Sequence, residues 1–198
     1  MQTNFENGVR VPLIIRAPHA QARAGMRLSQ LVESVDLYKT LADLSGLGAA
    51  AVEDGVDGYS LLPLLASGGG GALREASRSV FPRCYTALRN ATSPCGAFDP
   101  CPIADAYCCA QVPREQFDYM GYSIRTDRWR YTEWRAWDGA ALRAVWSGAA
   151  HAVELYDHAA PPADGPFASE AANVAADPAR AATVRQLGAQ LRATFAGA

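Results

Sequence analysis

The hydrophobic periodicity of the chain changes at a glycine run, Ser67–Gly71. Before the run, Val9–Ala17 is apolar and β-branched, and apolar residues recur every three or four positions over Ser29–Leu47. These patterns predict a buried strand followed by an amphipathic helix. After the run, alternation over Tyr119–Trp134 predicts an antiparallel hairpin, and Ala179–Phe195 predicts a closing helix. The sequence therefore predicts an α/β chain with a strand-helix piece of a mixed sheet, a small antiparallel sheet and a C-terminal helix.

The glycine run also gives the predicted domain boundaries. Residues 1–66 are expected to end a larger α/β domain, and residues 67–78 to form a Gly-rich linker. Residues 79–198 are expected to form the antiparallel-sheet subdomain with its closing helix.

Composition excludes several classes of protein. The chain has 198 residues, of which 49% are apolar and 19% charged, and its net charge is −2. A disordered tail or a nucleic-acid-binding surface would need a more biased charge pattern. No apolar run reaches the roughly 18 residues that span a membrane. The first residues lack the features of a signal peptide, which is therefore expected to lie upstream of this chain.

Five cysteines fall in one Pro/Gly-rich stretch, and they are the candidates for disulfide bonding: Cys84, Cys95, Cys101, Cys108 and Cys109. Clustering in such a loop favours disulfides and an oxidising compartment, either lysosomal, secretory or extracellular. A zinc site is the alternative, although no Cys-x-x-Cys pair and no nearby histidine supports it. Asn90 begins a glycosylation sequon in the same stretch.

No single motif specifies the chemistry, but the order of several segments does. In chain order they are Thr3–Glu6, Arg10–Ile15, Val35–Ala42, Asp57–Leu62, Met120–Thr126, Arg130–Thr132, Glu154–Asp157 and Asn173–Pro178. This collinear series resembles the sulfatase family, and its later segments are similar to iduronate-2-sulfatase-like members. The resemblance implies the C-terminal part of an alkaline-phosphatase-like fold and a sulfuric ester hydrolase that acts on sulfated glycans.

The catalytic groups that this resemblance implies are not in the sequence. In the family, a cysteine in Cys-x-Pro-x-Arg becomes the formylglycine nucleophile, and calcium binds beside it. No cysteine of this chain begins that motif. Formylglycine and calcium are therefore expected only in an N-terminal half that would be the partner of this chain, and no catalytic or metal-binding residue is predicted here. The chain is expected to be inactive alone, and its status as an enzyme stays open.

Three residues are predicted to line the rim of the substrate pocket in the full-length protein. Gln2 and Thr3 directly follow the family's catalytic loop. Asp118 occupies the position where iduronate-like members carry a basic residue that binds the sugar carboxylate. An acidic residue would repel a uronate, so this departure from the family pattern weighs against iduronate specificity. A solvated acid at the end of a strand is the alternative interpretation of Asp118.

Two other functions stay open. One is a non-catalytic module whose hairpin aromatics bind a sulfated glycan, and the other is a phosphoesterase or phosphonate hydrolase of the same superfamily. Arg125, Arg128 and Arg130 form either an anion-binding face or, as we favour, a solvated face of the hairpin. The three histidines are predicted to be surface or loop residues rather than ligands.

Overall fold

The computed structural model describes residues 3–18, 23–48, 52–84, 112–159 and 170–197. The chain divides into two compact units. Met1–Val11 together with Arg78–Ala198 form the larger unit, and Pro12–Ser77 form the smaller one. The predicted division into residues 1–66, 67–78 and 79–198 stays a prediction. No helix in the described ranges combines the length and the apolar character needed to cross a membrane.

The larger unit is built on an antiparallel sheet. Its elements, in chain order, are α1 (Glu6–Val9), β1 (Ser77–Arg83), β2 (Tyr119–Arg125), β3 (Trp129–Asp138), β4 (Arg143–Ala144), β5 (Ala152–Asp157) and α4 (Ala181–Phe195). The helices α2 and α3 lie in the smaller unit and are described with it. The strand order is β1-β2-β3-β4, with β5 also paired to β3. The predicted hairpin is confirmed, because β2 and β3 pair in register from Tyr119 with Ala136 to Arg125 with Arg130.

The two faces of this sheet are covered by different segments. On one face, α4 buries Leu187 and Leu191 over Ile124 and Leu155, which are all less than 5% exposed. Gly188 permits this approach, since a Cβ there would lie 2.9 Å from the Tyr131 hydroxyl. The predicted closing helix is confirmed, and one 3₁₀ turn precedes it.

The N-terminal segment, Thr3–Val9, covers the opposite face of the sheet. Phe5 packs edge-on against Tyr156, with ring centroids 5.7 Å apart. Asn4 and Glu6 are buried polar residues in this segment. The sheet therefore has a helix on one side and an N-terminal strap on the other, and polar side chains are buried under both.

The strand predicted over Val9–Ala17 is wrong. Residues 10–17 have no regular secondary structure, and most of them are exposed, including Ile14 at 91%. A strand needs a neighbour with which to exchange backbone hydrogen bonds, and no described strand lies beside this run. Pro12 also removes one backbone donor within it. An apolar sequence alone does not supply a pairing partner.

The smaller unit contains α2 (Asp36–Leu44) and α3 (Leu62–Ser67). The helix predicted over Ser29–Leu47 is therefore shorter than expected, and its apolar stripe is exposed in this chain. Tyr38 and Leu41 are 52% and 65% exposed, whereas Asp36 and Thr40 are buried. The polar side of the helix can be buried because the side chains of Asp36 and Thr40 form hydrogen bonds within the unit.

Asp36 and Thr40 join α2 to the segment that precedes α3. The Asp36 carboxylate accepts hydrogen bonds from the backbone N–H of Tyr59, at 2.8 Å, and of Glu33, at 2.7 Å, and it pairs with Arg74. The Thr40 hydroxyl accepts from the Leu61 N–H at 2.9 Å. Buried polar groups are tolerated when they are satisfied in this way. As a mixed α/β chain with an antiparallel sheet and a C-terminal helix, the predicted fold class is confirmed.

Candidate functional site

The candidate site is built where the N-terminal segment meets β2. The Asn4 side-chain amide donates to the Gly121 carbonyl at 2.9 Å, and Asn4 is 4% exposed. Gly121 has to be a glycine here, because a Cβ would lie 2.6 Å from the Trp134 ring and 2.9 Å from the Asn4 amide. The sequence Thr3-Asn4 is thus fixed against the strand that begins one residue after Asp118.

Glu6 continues this attachment through a buried ionic cluster, which consists of Glu6, Arg125, Arg130, His158 and Glu170. A Glu6 carboxylate oxygen lies 2.6 Å from the Arg130 guanidinium and 3.2 Å from that of Arg125. The Glu6 backbone N–H donates to Glu170 at 2.5 Å, and Arg130 also pairs with Glu170. His158 lies 3.0 Å from Glu170.

The charges in the cluster balance each other. Burial raises the pKa of Glu6, but the charges of Arg125 and Arg130 and a hydrogen bond from Arg130 outweigh it and hold this pKa below its ordinary value. Burial likewise raises the pKa of Glu170. The hydrogen bond with His158 and the charge of Arg130 outweigh burial and hold this pKa below its ordinary value. Both carboxyl groups are therefore ionised and paired with guanidinium groups. The cluster attaches the strap to the sheet.

This cluster does not fit calcium. Among the described residues, Glu6, His158 and Glu170 form a group of three potential metal ligands, and their donor atoms lie within 4.8 Å of one another. Calcium takes six to eight oxygen ligands. Here the carboxylate oxygens already contact two guanidinium groups, which would repel a cation. The described residues therefore offer no suitable site for the metal that the sequence resemblance implies.

In amino-acid sequence, part of the chain is similar to known sulfatases. No protein-family model matches the chain. It is 37% identical to human arylsulfatase K over 60 residues and 33% identical to the Xenopus laevis arylsulfatase K over 63 residues. It is 40% identical to human steryl-sulfatase over 63 residues. These matches span 30–32% of this chain and only 10–11% of the relatives.

Two solved structures share the fold. The phosphonate monoester hydrolase of Silicibacter pomeroyi matches with a TM-score of 0.52 and 24% identity, over 88% of this chain and 26% of its own. BT4656, solved with its substrate D-glucosamine-2-N,6-O-disulfate, matches with a TM-score of 0.56 and 21% identity, over 91% and 27%. The chain is therefore similar to sulfatases in sequence, and it shares the sulfatase, alkaline-phosphatase-like fold. It corresponds to a C-terminal part of that fold, and the iduronate-like subgroup stays a prediction.

The predicted rim residues are only partly within the described chain. Gln2 lies outside it. Thr3 is half-buried, and its hydroxyl accepts from the Phe5 N–H at 3.3 Å. Asp118 is half-buried before β2, where its N–H donates to the Arg83 carbonyl at 2.8 Å and its carbonyl accepts from the Trp137 N–H at 3.0 Å. The Asn4–Gly121 contact brings the segment that contains Thr3 close to the segment that contains Asp118. Their role at a rim stays a prediction.

The predicted disulfide cluster lies mostly outside the described residues. Cys84 is buried and disulfide-bonded. Asn90 and the other four cysteines, Cys95, Cys101, Cys108 and Cys109, are not described. The disulfide framework as a whole and the glycosylation of Asn90 stay predictions.

The ionic cluster was missed by sequence reasoning. The predicted solvated hairpin face is wrong for Arg130, whose side chain is 2% exposed. The alternative prediction, an anion-binding face, is wrong too, because Arg125 and Arg130 are already paired with the Glu6 carboxylate. Arg128 does lie on the surface, paired with Asp157. His158 lies in the loop after β5, as predicted, but its side chain is 7% exposed and contacts Glu170. The available signal was the acidic Glu6 inside a segment of family resemblance.

Proposed function

We propose that this chain is the C-terminal scaffold of a sulfuric ester hydrolase and supplies part of the rim of its substrate pocket. The observation that carries the proposal is the sequence identity of 33–40% with three sulfatases over 60 to 63 residues. The shared fold supports the same superfamily. The substrate class that we propose is a sulfated glycan.

The chemistry of this reaction is divided between this chain and a longer protein. Hydrolysis of a sulfate ester needs a nucleophile, an acid for the leaving alcohol and positive charge beside the developing anion. This sequence contains no Cys-x-Pro-x-Arg. We therefore assign the formylglycine nucleophile and calcium to an N-terminal half, and we expect this chain to be inactive alone.

The strap gives this chain its proposed role at the pocket. In the family resemblance, Gln2 and Thr3 directly follow the catalytic loop. Asn4 and Glu6 hold the following residues to the sheet through buried contacts. This attachment would fix the end of the catalytic loop close to the start of β2, where Asp118 lies. Gln2, Thr3 and Asp118 are thus the proposed rim.

Asp118 restricts the proposed substrate. Two like charges at about 4 Å repel each other by about 1 kcal/mol in water and by more in a partly buried site. A sugar ring with a carboxylate beside Asp118 would therefore bind less well than one without it. We propose a sulfated sugar that is not a uronate at this position.

The exposed apolar residues of the smaller unit support a longer protein. Large side chains remain exposed on residues 12–77, with Ile14 at 91% and Leu41 and Leu47 at 65% each. Large apolar side chains exposed to this extent are expected where a surface packs against another part of a protein. The N-terminal half is the proposed neighbour. The cysteine cluster supports a secretory, lysosomal or other oxidising compartment.

The test is an assay of sulfate release. The 198-residue chain alone is expected to give no turnover of 4-methylumbelliferyl sulfate above a blank prepared from the empty expression host. The same chain expressed in one polypeptide with its upstream coding sequence is expected to hydrolyse this substrate. Turnover by the isolated chain would contradict the proposal that the catalytic groups lie in the N-terminal half.

A parallel substrate separates the two candidate reactions. The fold shared with a phosphonate monoester hydrolase makes that activity the second candidate. A phosphonate monoester is therefore assayed at the same concentration. Faster hydrolysis of the phosphonate than of the sulfate ester would replace our proposal with the second candidate.

A further inference from the structure

Arg130, near the start of β3, joins two segments that are far apart in the chain. Its side chain is 2% exposed. One of its guanidinium nitrogens lies 2.6 Å from the Glu6 carboxylate of the strap, and another donates to the carboxylate of Glu170, which precedes α4. A guanidinium group is planar and its N–H donors are fixed relative to one another, so it sets the positions of both carboxylates. A lysine ammonium group, a point charge on a flexible stem, would not do so.

Glu170 holds the main chain of the strap directly. One of its carboxylate oxygens accepts the Glu6 backbone N–H at 2.5 Å, and the other is shared by Arg130 and by His158, the latter at 3.0 Å. Both the backbone and the side chain of Glu6 are therefore fixed. A side-chain contact alone would leave rotatable bonds between the strap and the sheet, and the backbone hydrogen bond removes that freedom.

A second point of attachment lies two residues earlier in the strap. The Asn4 amide donates to the Gly121 carbonyl on β2 at 2.9 Å, whereas Arg130 lies on β3. Two points of attachment on neighbouring strands determine both the position and the direction of the strap. Thr3 directly precedes the first of these points, so the position of its backbone is closely restricted.

Attachment of the strap does not by itself require buried charges. Phe5 already packs against Tyr156, with ring centroids 5.7 Å apart. A buried ion pair repays its desolvation poorly, and apolar residues of similar volume often stabilise a protein as well or better. What the ionic cluster adds is geometry, because charge-assisted hydrogen bonds are short and bidentate pairs are directional. The cluster therefore suits a role in fixing the position of the strap.

We propose that Arg130 and Glu170 are positioning residues for the reaction of the longer protein. They act through Glu6 and the strap, and their side chains, 2% and 4% exposed, are too deeply buried to touch a substrate. This role rests on the proposed function, in which the strap directly follows the catalytic loop. A displacement of reacting groups by about 1 Å costs on the order of a hundredfold in rate. Loss of the Glu170 contact should therefore lower kcat while substrate binding is largely kept.

The test measures turnover of 4-methylumbelliferyl sulfate by the longer protein, with two substitutions of Glu170. Glu170→Ala removes the acceptor of the Glu6 N–H, whereas Glu170→Gln keeps an oxygen acceptor at the same place. We expect Glu170→Ala to lower kcat about tenfold to a hundredfold with KM within about twofold of wild type, and Glu170→Gln to recover most of kcat. An unchanged kcat in Glu170→Ala would overturn the proposal, and so would a loss confined to KM or equal losses in the two variants.

Matched lysine variants separate geometry from charge. Arg130→Lys keeps the positive charge but loses the planar group that bridges two carboxylates, so kcat should fall about as far as in Glu170→Ala. Arg128→Lys is the control, because Arg128 lies on the same hairpin, is 49% exposed and pairs with Asp157 away from the strap. It should leave kcat unchanged. Full activity of Arg130→Lys would show that charge alone is sufficient and would overturn the positioning role.

A core variant separates positioning from general stability. Leu187 is 4% exposed on α4, on the opposite face of the same sheet, so Leu187→Ala destabilises the larger unit without touching the strap. All variants are assayed at a temperature where circular dichroism shows them folded. The kcat of Leu187→Ala should equal that of wild type. A loss as large as that in Glu170→Ala would assign the effect to stability and would overturn the proposal.

Hydrogen exchange of the 198-residue chain gives a readout that needs no turnover. Glu170→Ala should raise exchange of the amides in residues 3–9 about tenfold or more, whereas Leu187→Ala should not affect these amides selectively. Unchanged exchange in Glu170→Ala would overturn the positioning role whatever the turnover. A wild-type longer protein that hydrolyses neither the sulfate ester nor the phosphonate would refute the proposed function, and the positioning role with it. An active wild type with an unaffected Glu170→Ala variant would overturn the positioning role alone.

Discussion

Removing the Glu6 charge should cost the larger unit much of its stability. Glu6 is 6% exposed, and its carboxylate contacts the Arg130 and Arg125 guanidinium groups at 2.6 and 3.2 Å. Breaking a buried ion pair by removing one partner typically costs 3–5 kcal/mol, because the other charge is left uncompensated. Arg130 keeps Glu170 in Glu6→Gln, so we expect the lower end of this range, about 3 kcal/mol. For a chain of this size, that loss lowers Tm by about 6–12 °C.

The matched control is Arg10→Gln. Arg10 also contacts the Glu6 carboxylate, at 3.5 Å, but its side chain is 63% exposed. An exposed pair four residues apart on a helix contributes about 0.5 kcal/mol or less. Urea unfolding followed by tryptophan fluorescence measures both variants. If Glu6→Gln and Arg10→Gln destabilise the chain equally, burial is not what makes the Glu6 pair strong, and the reasoning fails.

The pH dependence provides a second check on the same charge. The folded-state pKa of Glu6 lies below its ordinary value of 4.5. Its contribution to stability is therefore fully present above the unfolded pKa and is lost as the pH falls through the folded pKa. The difference in unfolding free energy between wild type and Glu6→Gln should be largest near pH 7 and should shrink in acid. A difference that does not change between pH 7 and pH 3 would refute this linkage.

Three further substitutions test other parts of the structure. Gly121→Ala places a Cβ 2.6 Å from Trp134 and should destabilise the chain by about 1–3 kcal/mol in urea unfolding; an unchanged midpoint would contradict the close packing. Asp36→Ala removes one of the two carboxylate partners of Arg74, which keeps Glu33, and it leaves the backbone N–H groups of Glu33 and Tyr59 without their acceptor; it should cost about 3 kcal/mol in the same measurement, against a small effect of Asp43→Ala on the same helix. In the longer protein, Asp118→Asn should lower the KM for a uronate-containing sulfated disaccharide about fivefold, and an unchanged KM would remove Asp118 from the rim.

Local patterns predicted the elements whose partners are close in sequence. The hairpin and the closing helix are examples, since β2 pairs with the strand that follows it and the apolar residues of α4 face that pair. The strand predicted at Val9–Ala17 failed because a strand is defined by its neighbour, which periodicity does not reveal. The covered side of α2 was not predicted for a related reason, because it is determined by buried hydrogen bonds that Asp36 and Thr40 accept from the backbone N–H groups of Tyr59 and Leu61.

The ionic cluster lay beyond sequence reasoning for a different reason. Its members come from four separate places in the chain, and the segments of family resemblance that contain Glu6, Arg125 and Arg130 do not show that these side chains meet. Each arginine of the hairpin looked like a solvated residue when considered alone. Only the fold shows that Glu6 and Glu170 approach the same guanidinium group. Compensating charges of this kind become visible once distant segments are brought together.

The strap has a consequence for how the chain is made. The Glu6 backbone bonds to a glutamate 164 residues later, so this contact cannot form until most of the polypeptide has left the ribosome. At about 5–20 residues per second, the strap waits on the order of ten seconds or more for its partner. During that time Pro12–Ser77 can already collapse as a local unit. The folding of the larger unit should be the slow step, since its closure joins two residues, Glu6 and Glu170, that are 164 positions apart in the chain.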